Sequence, residues 1–369
     1  MRIGVDARAA VYYDATGIGT YVRQLAAHLA GTAPDDEFLY CLGDTWLAPP
    51  PGTAPILPNH GKDRGFWRSL RRPLSLPPDL DLFHSPQNGI GAPADPTLRL
   101  LVTAHDLVPC RLPETCSDDY LSLFRSEGAQ ALKRADLVLA VSHCTRADLI
   151  GLLGLDPARV VVVYEAPPPL ARPSEEAVQN ALARFGLRPG YYLSVGGYSK
   201  RKNLPLLLQA VAALRDLPGL TLVVLGRPGG GTYEECREIV ATHNLASMVH
   251  FLDLVALGDL AALYTAARAL VYPSRWEGFG LPPLEAMSLG TPVIASSCSC
   301  LPEILGQAAY YVDLGEPETL ARALRRFMTE PELAAEYARR GPLQAAGYTW
   351  AGAAQATVGA YRRAAGEKV

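Results

Sequence analysis

Short, almost continuously apolar runs alternate with helical patterns along this 369-residue chain, and this alternation most constrains its fold. Runs rich in Val, Leu and Ile are predicted strands at residues 98–103, 137–141, 160–164, 191–195, 220–225 and 269–272. Helical patterns occupy residues 20–30, 120–134, 204–215, 257–267, 281–288 and 317–328. Strands that are apolar on both faces and separated by helices indicate parallel sheets covered on both sides. The predicted fold class is therefore α/β.

A composition break divides the chain into two halves. At roughly 150 residues per domain, the length predicts about two domains. The segment EAPPPLARPSEEA, residues 165–177, is rich in proline and lacks apolar periodicity, so it is predicted to belong to a linker. We predict an N-terminal domain at 1–168, a linker at 169–189, a C-terminal domain at 190–347 and a final helical stretch at 348–369. A cleft between the two domains is the expected ligand site.

Charge and cysteine content exclude several classes of function. The formal net charge of −3 gives no reason to expect a nucleic-acid partner. The seven cysteines are odd in number and include no CxxC pair, so neither a zinc knuckle nor a disulfide framework is predicted. The opening MRIGVDAR has no apolar signal core, and no run of about 18 apolar residues suggests a membrane span. We expect a soluble cytoplasmic protein without a metal ion.

The stretch SRWEGFGLPPLEAMSLG, residues 274–290, places Glu277 and Glu285 eight residues apart. It follows the predicted strand 269–272, and proline suits the first turn of a helix. A helix is therefore expected from about Pro282 to Leu289, ended by Gly290. Glu277 then lies in the strand-to-helix loop, and Glu285 projects from the first helical turn. Such loops lie at the carboxyl edge of a parallel sheet, where ligands bind in open α/β folds.

This stretch combines an anion site with two carboxylates. The amides of Phe279, Gly280 and Leu281, together with the helix dipole, could bind an anion. Each carboxylate could accept hydrogen bonds from vicinal hydroxyls of a ribose or a hexose. A diphosphate between two sugars would satisfy both features. The alternative is that the dipole alone favours Glu285 in a first turn and that the glycines serve only tight packing.

Several segments, in order along the chain, resemble the retaining GT-B glycosyltransferases of family four. They are DARAAVYYDATGIGTYVRQL, FHSP at 83–86, VTAHDLVP at 102–109, VGGYSKRKNLPLLLQA at 195–210, SRWEGFGLPPLEAMSLGTPVIAS and LPEILGQAAYYVD. The similarity is strongest to bacterial mannosyl- and rhamnosyltransferases that build polysaccharides. The resemblance implies two facing Rossmann-like domains, with a nucleotide-sugar held mainly by the second. It also implies that the final helix returns to the N-terminal domain.

The resemblance assigns roles to residues of the second half. Glu285 would hold the ribose hydroxyls of the donor, and Glu277 would contact the transferred sugar beside the amides of residues 279–281. Lys202 matches the family's diphosphate-binding lysine. The family's second cation, directly after the strand glycine, is missing here, and Arg201 is the predicted substitute. Cations at a helix start oppose the dipole, so they call for an anion; the alternative is a solvated helix start.

In the first half, the sequence TGIG and two histidines are candidate functional features. The sequence TGIG at 16–19 lacks the third glycine of a dinucleotide fingerprint, because position 22 is Val, so an NAD site is disfavoured. The resemblance instead implies that the amide of Gly17 approaches the donor diphosphate when the domains close. It places His105 near the transferred sugar and the acceptor, although a lone histidine is more often structural. His84 is predicted to be structural.

A basic stretch with aromatic residues, GFWRSLRRPLSLP at 65–77, could contact an anionic membrane surface or a lipid-linked acceptor. The favoured alternative is a loop helix packed by Trp67, with its arginines in solvent. If this stretch did contact a membrane, the predicted cytoplasmic protein would also bind weakly and peripherally to the inner face of the membrane.

The predicted activity is transfer of a hexosyl or deoxyhexosyl unit from a nucleotide-diphosphate sugar to a hydroxyl acceptor, with retention of anomeric configuration. The resemblance makes GDP-mannose the first candidate donor and a glycan or lipid-linked molecule the acceptor. No cofactor is expected, and no convincing DxD motif suggests a metal. The alternatives are a nucleotide-sugar epimerase of the same fold, which needs no acceptor, and a non-catalytic sugar-nucleotide-binding module. A phosphorylase would need a pyridoxal-phosphate lysine, for which the sequence offers no credible site.

Overall fold

The computed structural model describes residues 1–13, 16–60, 66–70 and 74–367, apart from the side chains of Arg68 and Ser69. The chain divides into two compact units. The first comprises Met1–Ala166 with Tyr348–Val369, and the second comprises Pro167–Gly347. Each is an α/β unit with its own buried core, and the α/β prediction is confirmed.

The first unit is built on a mainly parallel sheet. Within the described residues its strands are β1 (Arg2–Asp6), β2 (Glu37–Cys41), β3 (Trp46–Leu47), β4 (Leu82–Ser85), β5 (Leu100–Ala104), β6 (Leu137–Ala140) and β7 (Val160–Val162). Their order in the sheet is β3-β2-β1-β4-β5-β6-β7, and the short β3 pairs antiparallel to β2. The chain therefore reverses its winding direction between β1 and β4.

Helices cover this first sheet. They are α1 (Arg8–Tyr12), α2 (Gly17–Thr32), α3 (Phe66–Ser69), α4 (Val108–Arg111), α5 (Asp118–Leu123), α6 (Ala129–Arg134), α7 (His143–Leu153) and, after the second unit, α16 (Trp350–Ala364). The predicted helix 120–134 is present but changes at Phe124–Gly128 to a π-helical turn. The last helix, α16, packs against α2, so it belongs to the first unit.

The second unit has a fully parallel sheet. Its strands are β8 (Tyr192–Val195), β9 (Leu222–Leu225), β10 (Val249–Leu252), β11 (Ala269–Tyr272), β12 (Val293–Ser296) and β13 (Ala309–Val312). Its helices are α8 (Glu175–Phe185), α9 (Leu204–Ala212), α10 (Tyr233–Thr242), α11 (Leu257–Ala266), α12 (Leu281–Ser288), α13 (Leu301–Leu305), α14 (Pro317–Thr329) and α15 (Pro331–Ala345). The strand order is β10-β9-β8-β11-β12-β13, so the winding direction reverses between β8 and β11.

The segment 169–189, predicted as a linker, is instead part of the second unit and contains α8. The Ser174 hydroxyl accepts a hydrogen bond from the Ala177 amide and so caps the start of the helix, and Gly186, with φ 65°, ends it. Arg184 on α8 forms an ion pair with Asp259 on α11 at 3.0 Å. The linker was predicted from the proline-rich residues that precede this helix, and the helix itself was not recognised.

Candidate active site

The candidate site of the second unit lies where its winding direction reverses. Because β8 and β11 are parallel neighbours, the loops at their carboxyl ends lie side by side. The loop after β8 forms a short 3₁₀ turn at Lys200–Lys202, and the loop after β11 carries Glu277 and leads into α12. The main chain joins the two loops, since the Arg275 amide donates to the Arg201 carbonyl at 2.8 Å.

Two cations and one carboxylate meet at this edge. The Lys202 ammonium donates to Glu277 Oε1 at 2.8 Å, and an Arg201 nitrogen lies 2.5 Å from Oε2. Lys202 also donates to the Tyr272 hydroxyl at the end of β11 and lies 4.4 Å from the centre of its ring. The structure thus brings together Arg201, Lys202 and Glu277, which the sequence analysis singled out separately. Tyr272 was not predicted.

These ion pairs decide the charge of Glu277. Only 6% of Glu277 and 8% of Lys202 are exposed. Burial by itself raises the pKa of Glu277, but Arg201 and Lys202 outweigh that effect and hold the pKa at about 2. The carboxyl group is therefore ionised at neutral pH, and the three side chains together carry a net charge of +1. The anion that these cations call for is Glu277 itself in this structure, a partner that the sequence analysis did not assign.

Glu285 has a different environment. Its Oε2 accepts a hydrogen bond from the Tyr264 hydroxyl of α11 at 2.8 Å. Burial raises its pKa, and the hydrogen bond from Tyr264 and the charge of Lys202 only partly offset this. Lys202 therefore acts on both carboxylates of the stretch. Tyr264, which is fully buried, is a further residue that the sequence analysis missed.

The start of α12 has the features of an anion site. The helix begins at Leu281 with both prolines in its first turn, as predicted, and Gly280 precedes it with φ 102°. A Cβ on Gly280 would lie 2.9 Å from Leu301 Cδ2, a contact that a shift of that side chain would relieve, so it is the positive φ that favours glycine here. The N-cap residue, Gly280, has no side chain with which to cap the helix start. Phe279, Gly280 and Leu281 are buried, and their proposed contact with an anion remains a prediction.

His105 belongs to the first unit and is 8% exposed. Its Nδ1 lies 2.7 Å from Glu165 Oε1, and its Nε2 lies 2.7 Å from the Pro86 carbonyl oxygen. Its amide donates to Asn88 Oδ1 at 2.7 Å. Both ring nitrogens are therefore engaged by protein acceptors, and the predicted position near a sugar stays a prediction. Glu165 was not singled out from the sequence except as part of the proline-rich segment.

His84 is completely buried on β4, which agrees with the structural role predicted for it. Its ring nitrogens lie 2.8 Å from the Tyr361 hydroxyl of α16 and 2.8 Å from Thr103 Oγ1 of β5. Burial, followed by the charge of His105, lowers its pKa to about 3. A neutral imidazole can donate through one nitrogen and accept through the other, as these two partners allow.

Gly17 is exposed at the first position of α2. The hydroxyl of Thr16 caps this helix by accepting from the Gly19 amide at 3.1 Å. Gly19 is required by close packing, because a Cβ there would lie 2.4 Å from the Tyr13 carbonyl oxygen. The predicted contact of Gly17 with a diphosphate remains a prediction.

The basic segment 65–77 is described only in part, since residues 65 and 71–73 lie outside the described residues. Phe66 is buried, and Trp67 packs edge-on against it and at 5.0 Å between ring centres against Tyr120. This packing agrees with the favoured alternative of a loop helix held by Trp67. Residues 14 and 15 of the segment DARAAVYYDATGIGTYVRQL are likewise outside the described residues.

A buried ion pair at the switch point of the first sheet was also missed. Arg8 contacts both carboxylate oxygens of Asp6, at 2.9 Å and 2.5 Å, and the Gln87 amide donates to the same carboxylate. Asp6 and Arg8 are close in sequence, but Arg8 also donates to the carbonyls of Leu70 and Gly91, which are far away along the chain. The sequence therefore does not show that the pair is buried.

The part of the chain that the structure describes contains no helix with the length and hydropathy that a membrane span needs. It also contains no group of three or more His, Cys, Asp or Glu side chains arranged to bind a metal ion.

Comparison with known families decides the identity of the fold. Residues 15–166 match the family described as Glycosyltransferase Family 4, and residues 183–344 match the family described as Glycosyl transferases group 1. One match lies in each unit. The chain is a family-four GT-B glycosyltransferase. The family predicted from the sequence motifs is confirmed, and with it the enzyme class.

Relatives of this glycosyltransferase agree with that assignment. O-antigen chain mannosyltransferase B from Escherichia coli is 28% identical over 375 residues, covering 95% of this chain and 97% of that protein. The structure of sucrose-phosphate synthase from Thermosynechococcus elongatus matches with a TM-score of 0.75 at 22% identity, covering 98% of both chains. Anabaena Alr3699/HepE in complex with UDP and glucose matches with a TM-score of 0.71 at 18% identity, covering 97% of this chain and 98% of that one. At these identities the two structures support the fold alone.

Proposed function

We propose that this glycosyltransferase moves a hexosyl or deoxyhexosyl unit from a nucleotide-diphosphate sugar to a hydroxyl of a glycan or lipid-linked acceptor, with retention of configuration. GDP-mannose is the first candidate donor. The similarity to an O-antigen chain mannosyltransferase supports a mannosyl unit and a polysaccharide acceptor. Anabaena Alr3699/HepE, which shares the fold, was solved in complex with UDP and glucose, and this motivates the choice of a nucleoside diphosphate as the proposed leaving group.

The observation that carries the proposal is the placement of Arg201 and Lys202 at the switch point, where both pair with Glu277 in the loop that leads into α12. When the bond to the transferred sugar breaks, negative charge accumulates on the diphosphate. Fixed cations and helix-terminal amides lower that barrier, because they are already oriented before the reaction begins. In this proposal the two side chains, with the amides of residues 279–281, bind the diphosphate without a metal ion.

The two carboxylates complete the proposed donor site. Glu285 would accept hydrogen bonds from the ribose hydroxyls, and Glu277 from hydroxyls of the transferred sugar. Glu277 is a poor candidate for a nucleophile, because two cations share its charge. We therefore favour front-side attack: the acceptor oxygen bonds to the anomeric carbon, the bond to the diphosphate breaks, and the acceptor proton passes to the leaving phosphate oxygen. Gly17 and His105 are the proposed contributions of the first unit.

A nucleotide-release assay tests this function. The protein is incubated with GDP-, UDP- and dTDP-sugars, with and without lipid-linked and free glycan acceptors, and nucleoside diphosphate release is measured. We expect release that rises with acceptor, persists in EDTA and gives a product of unchanged anomeric configuration by NMR. Release without acceptor would favour an epimerase or hydrolase, and binding without release would indicate a non-catalytic module.

Two variants test the assigned residues. Lys202→Ala should lower kcat by roughly a hundredfold, the usual effect of losing one such donor. Glu285→Ala should act mainly on the donor KM. Glu330→Gln, which removes a surface carboxylate paired with Arg326, is the matched control and should change neither constant. Wild-type kinetics in both site variants would refute the assignment.

A further inference from the structure

His105 is fixed at three points within the first unit. Its Nδ1 lies 2.7 Å from Glu165 Oε1, its Nε2 donates to the Pro86 carbonyl, and its amide donates to the Asn88 side chain. The ring also meets Tyr21 edge-on, with 4.9 Å between ring centres. These contacts fix the orientation of the imidazole ring. Its protonation state therefore follows from the chemistry of its partners.

Both partners of the ring are acceptors. A carbonyl oxygen can only accept, so Nε2 must carry a proton, and an ionised carboxylate opposite Nδ1 requires a proton there too. Both distances are 2.7 Å, typical of charge-assisted bonds. With Glu165 ionised, this geometry fits a doubly protonated imidazolium paired with a buried carboxylate. Glu165 is only 4% exposed, so this ion pair is shielded from solvent.

We propose that Glu165 is a positioning residue for sugar transfer, which keeps His105 a fixed imidazolium and prevents it from acting as a base. This inference rests on the proposed function, because that function places His105 beside the transferred sugar. It goes further, because it excludes His105 as the base that takes the proton from the attacking hydroxyl of the sugar acceptor. That proton must then leave with another group, which agrees with front-side attack assisted by the departing phosphate.

The other groups around His105 support this state. Burial disfavours the charged ring, but the hydrogen bond and charge of Glu165 outweigh burial, with smaller contributions from Pro86 and Asp106, and raise its pKa. Of the other titratable neighbours, the Tyr21 hydroxyl is bonded to Thr103, and its own pKa is strongly raised by burial. His84 stays neutral because its pKa is lowered to about 3. Glu165 is thus the dominant opposite charge.

Nitrogen-15 NMR of the full-length protein tests the protonation state without using activity. The side-chain signals of ¹⁵N-histidine-labelled protein are followed from about pH 6 to about pH 9, and His105 is assigned with His105→Gln. We expect both nitrogens of His105 to stay protonated to higher pH than an ordinary histidine. In Glu165→Gln the ring should lose a proton near or below its ordinary pKa of about 6.5. A wild-type His105 that titrates at that ordinary value would overturn the proposal.

The pH profile then tests the link to catalysis. The ratio of kcat/KM for Glu165→Gln to that of wild type should fall at least about tenfold between about pH 6 and about pH 8, because over this range His105 loses its proton in the variant and keeps it in wild type. Glu165→Asp should keep the ratio constant. Asp148→Asn removes another buried, cation-paired carboxylate of the first unit and should destabilise the protein without a pH-dependent ratio.

The outcomes separate the two proposals. A constant Glu165→Gln ratio, with the expected NMR titration, would mean that the pair is only structural and would refute the positioning role. Absence of transfer by wild-type protein with every donor would refute the proposed function, while the NMR result would still report on the ion pair. Failure of Glu165→Asp to restore a constant ratio would also contradict the positioning role.

Discussion

At the scale of single residues, the ion pairs of Glu277 oppose the donor binding proposed for the same site. Its ionised carboxylate neutralises part of the charge of Arg201 and Lys202, the same charge proposed to bind the diphosphate. In Glu277→Gln the net charge of this group would rise from +1 to +2. We expect free GDP or UDP to bind about tenfold more tightly, a gain of about 1.4 kcal/mol, measured by titration calorimetry.

The same variant should transfer sugar more slowly. The amide cannot accept hydrogen bonds from sugar hydroxyls as strongly as a carboxylate, so kcat should fall by about a hundredfold. Tighter product binding combined with slower turnover distinguishes this role from simple loss of the fold. Glu330→Gln again serves as control. Weaker binding of free nucleoside diphosphate to Glu277→Gln would contradict the proposed competition.

Glu285 should give donor binding a pH dependence. Its pKa is raised by burial, and the hydrogen bond from Tyr264 partly opposes this. If Glu285 binds the ribose as proposed, protonation removes the acceptor for its hydroxyls, so donor KM should rise as pH falls through this pKa. In Tyr264→Phe the bond that favours the charged form is lost, so the inflection of donor KM should move to higher pH. Tyr191→Phe, which loses a buried phenol bond to the Leu263 carbonyl, should leave the inflection in place. An inflection at the same pH in wild type and Tyr264→Phe would contradict this account.

At the scale of elements, the start of α12 depends on Gly280, and its other end offers a matched control. Gly280 and Gly290 both have positive φ, at 102° and 82°. Alanine at either position should cost roughly 1–3 kcal/mol of stability through backbone strain. Only Gly280→Ala should also weaken donor binding, because it displaces the amides proposed to bind the diphosphate, whereas a Cβ on Gly290 would meet only the Ala338 carbonyl at 3.8 Å. Chemical denaturation and donor KM measure the two effects, and equal losses of donor affinity would refute the anion site.

Local sequence signals predicted some elements closely. The strand Ala269–Tyr272 has its predicted bounds, and the helix expected from about Pro282 to Leu289 spans Leu281–Ser288, because a buried apolar run, a proline pair and a terminal glycine act within a few residues. The helix α8 was missed for the opposite reason: a proline-rich stretch obscured a capping serine and a terminal glycine.

The partners of the site residues could not be predicted in the same way. Tyr264 is 21 positions from Glu285, and Glu165 is 60 positions from His105. Both contacts depend on the tertiary fold, since Tyr264 and Glu285 lie on the separate helices α11 and α12, and His105 and Glu165 follow the separate strands β5 and β7. The family resemblance identified Lys202 and Glu277 separately, but the ion pair that joins them requires β8 and β11 to be neighbours.

At the scale of the whole molecule, the chain passes through the second unit and returns to the first with α16. The return is fixed in the core, where the Tyr361 hydroxyl lies 2.8 Å from Nδ1 of the fully buried His84. Arg362 on the same helix pairs with Asp36 at 2.8 Å, and Asp36 also binds the N-terminal ammonium at 2.7 Å. The two ends of the chain therefore stabilise the same unit.

Exchange of hydrogen at backbone amides can show that the two units are stabilised separately. Tyr361→Phe would leave a buried ring nitrogen of His84 without its partner, at a cost of about 1–3 kcal/mol. We expect faster exchange in β4 and β5 and unchanged exchange in β11 and β12. Tyr192→Phe, which loses a bond from its hydroxyl to the Leu324 carbonyl in the second unit, should give the reverse pattern. Independent cores confine a loss of stability to the unit that contains it. If either variant increased the exchange rate equally in both sheets, the two units would instead unfold together.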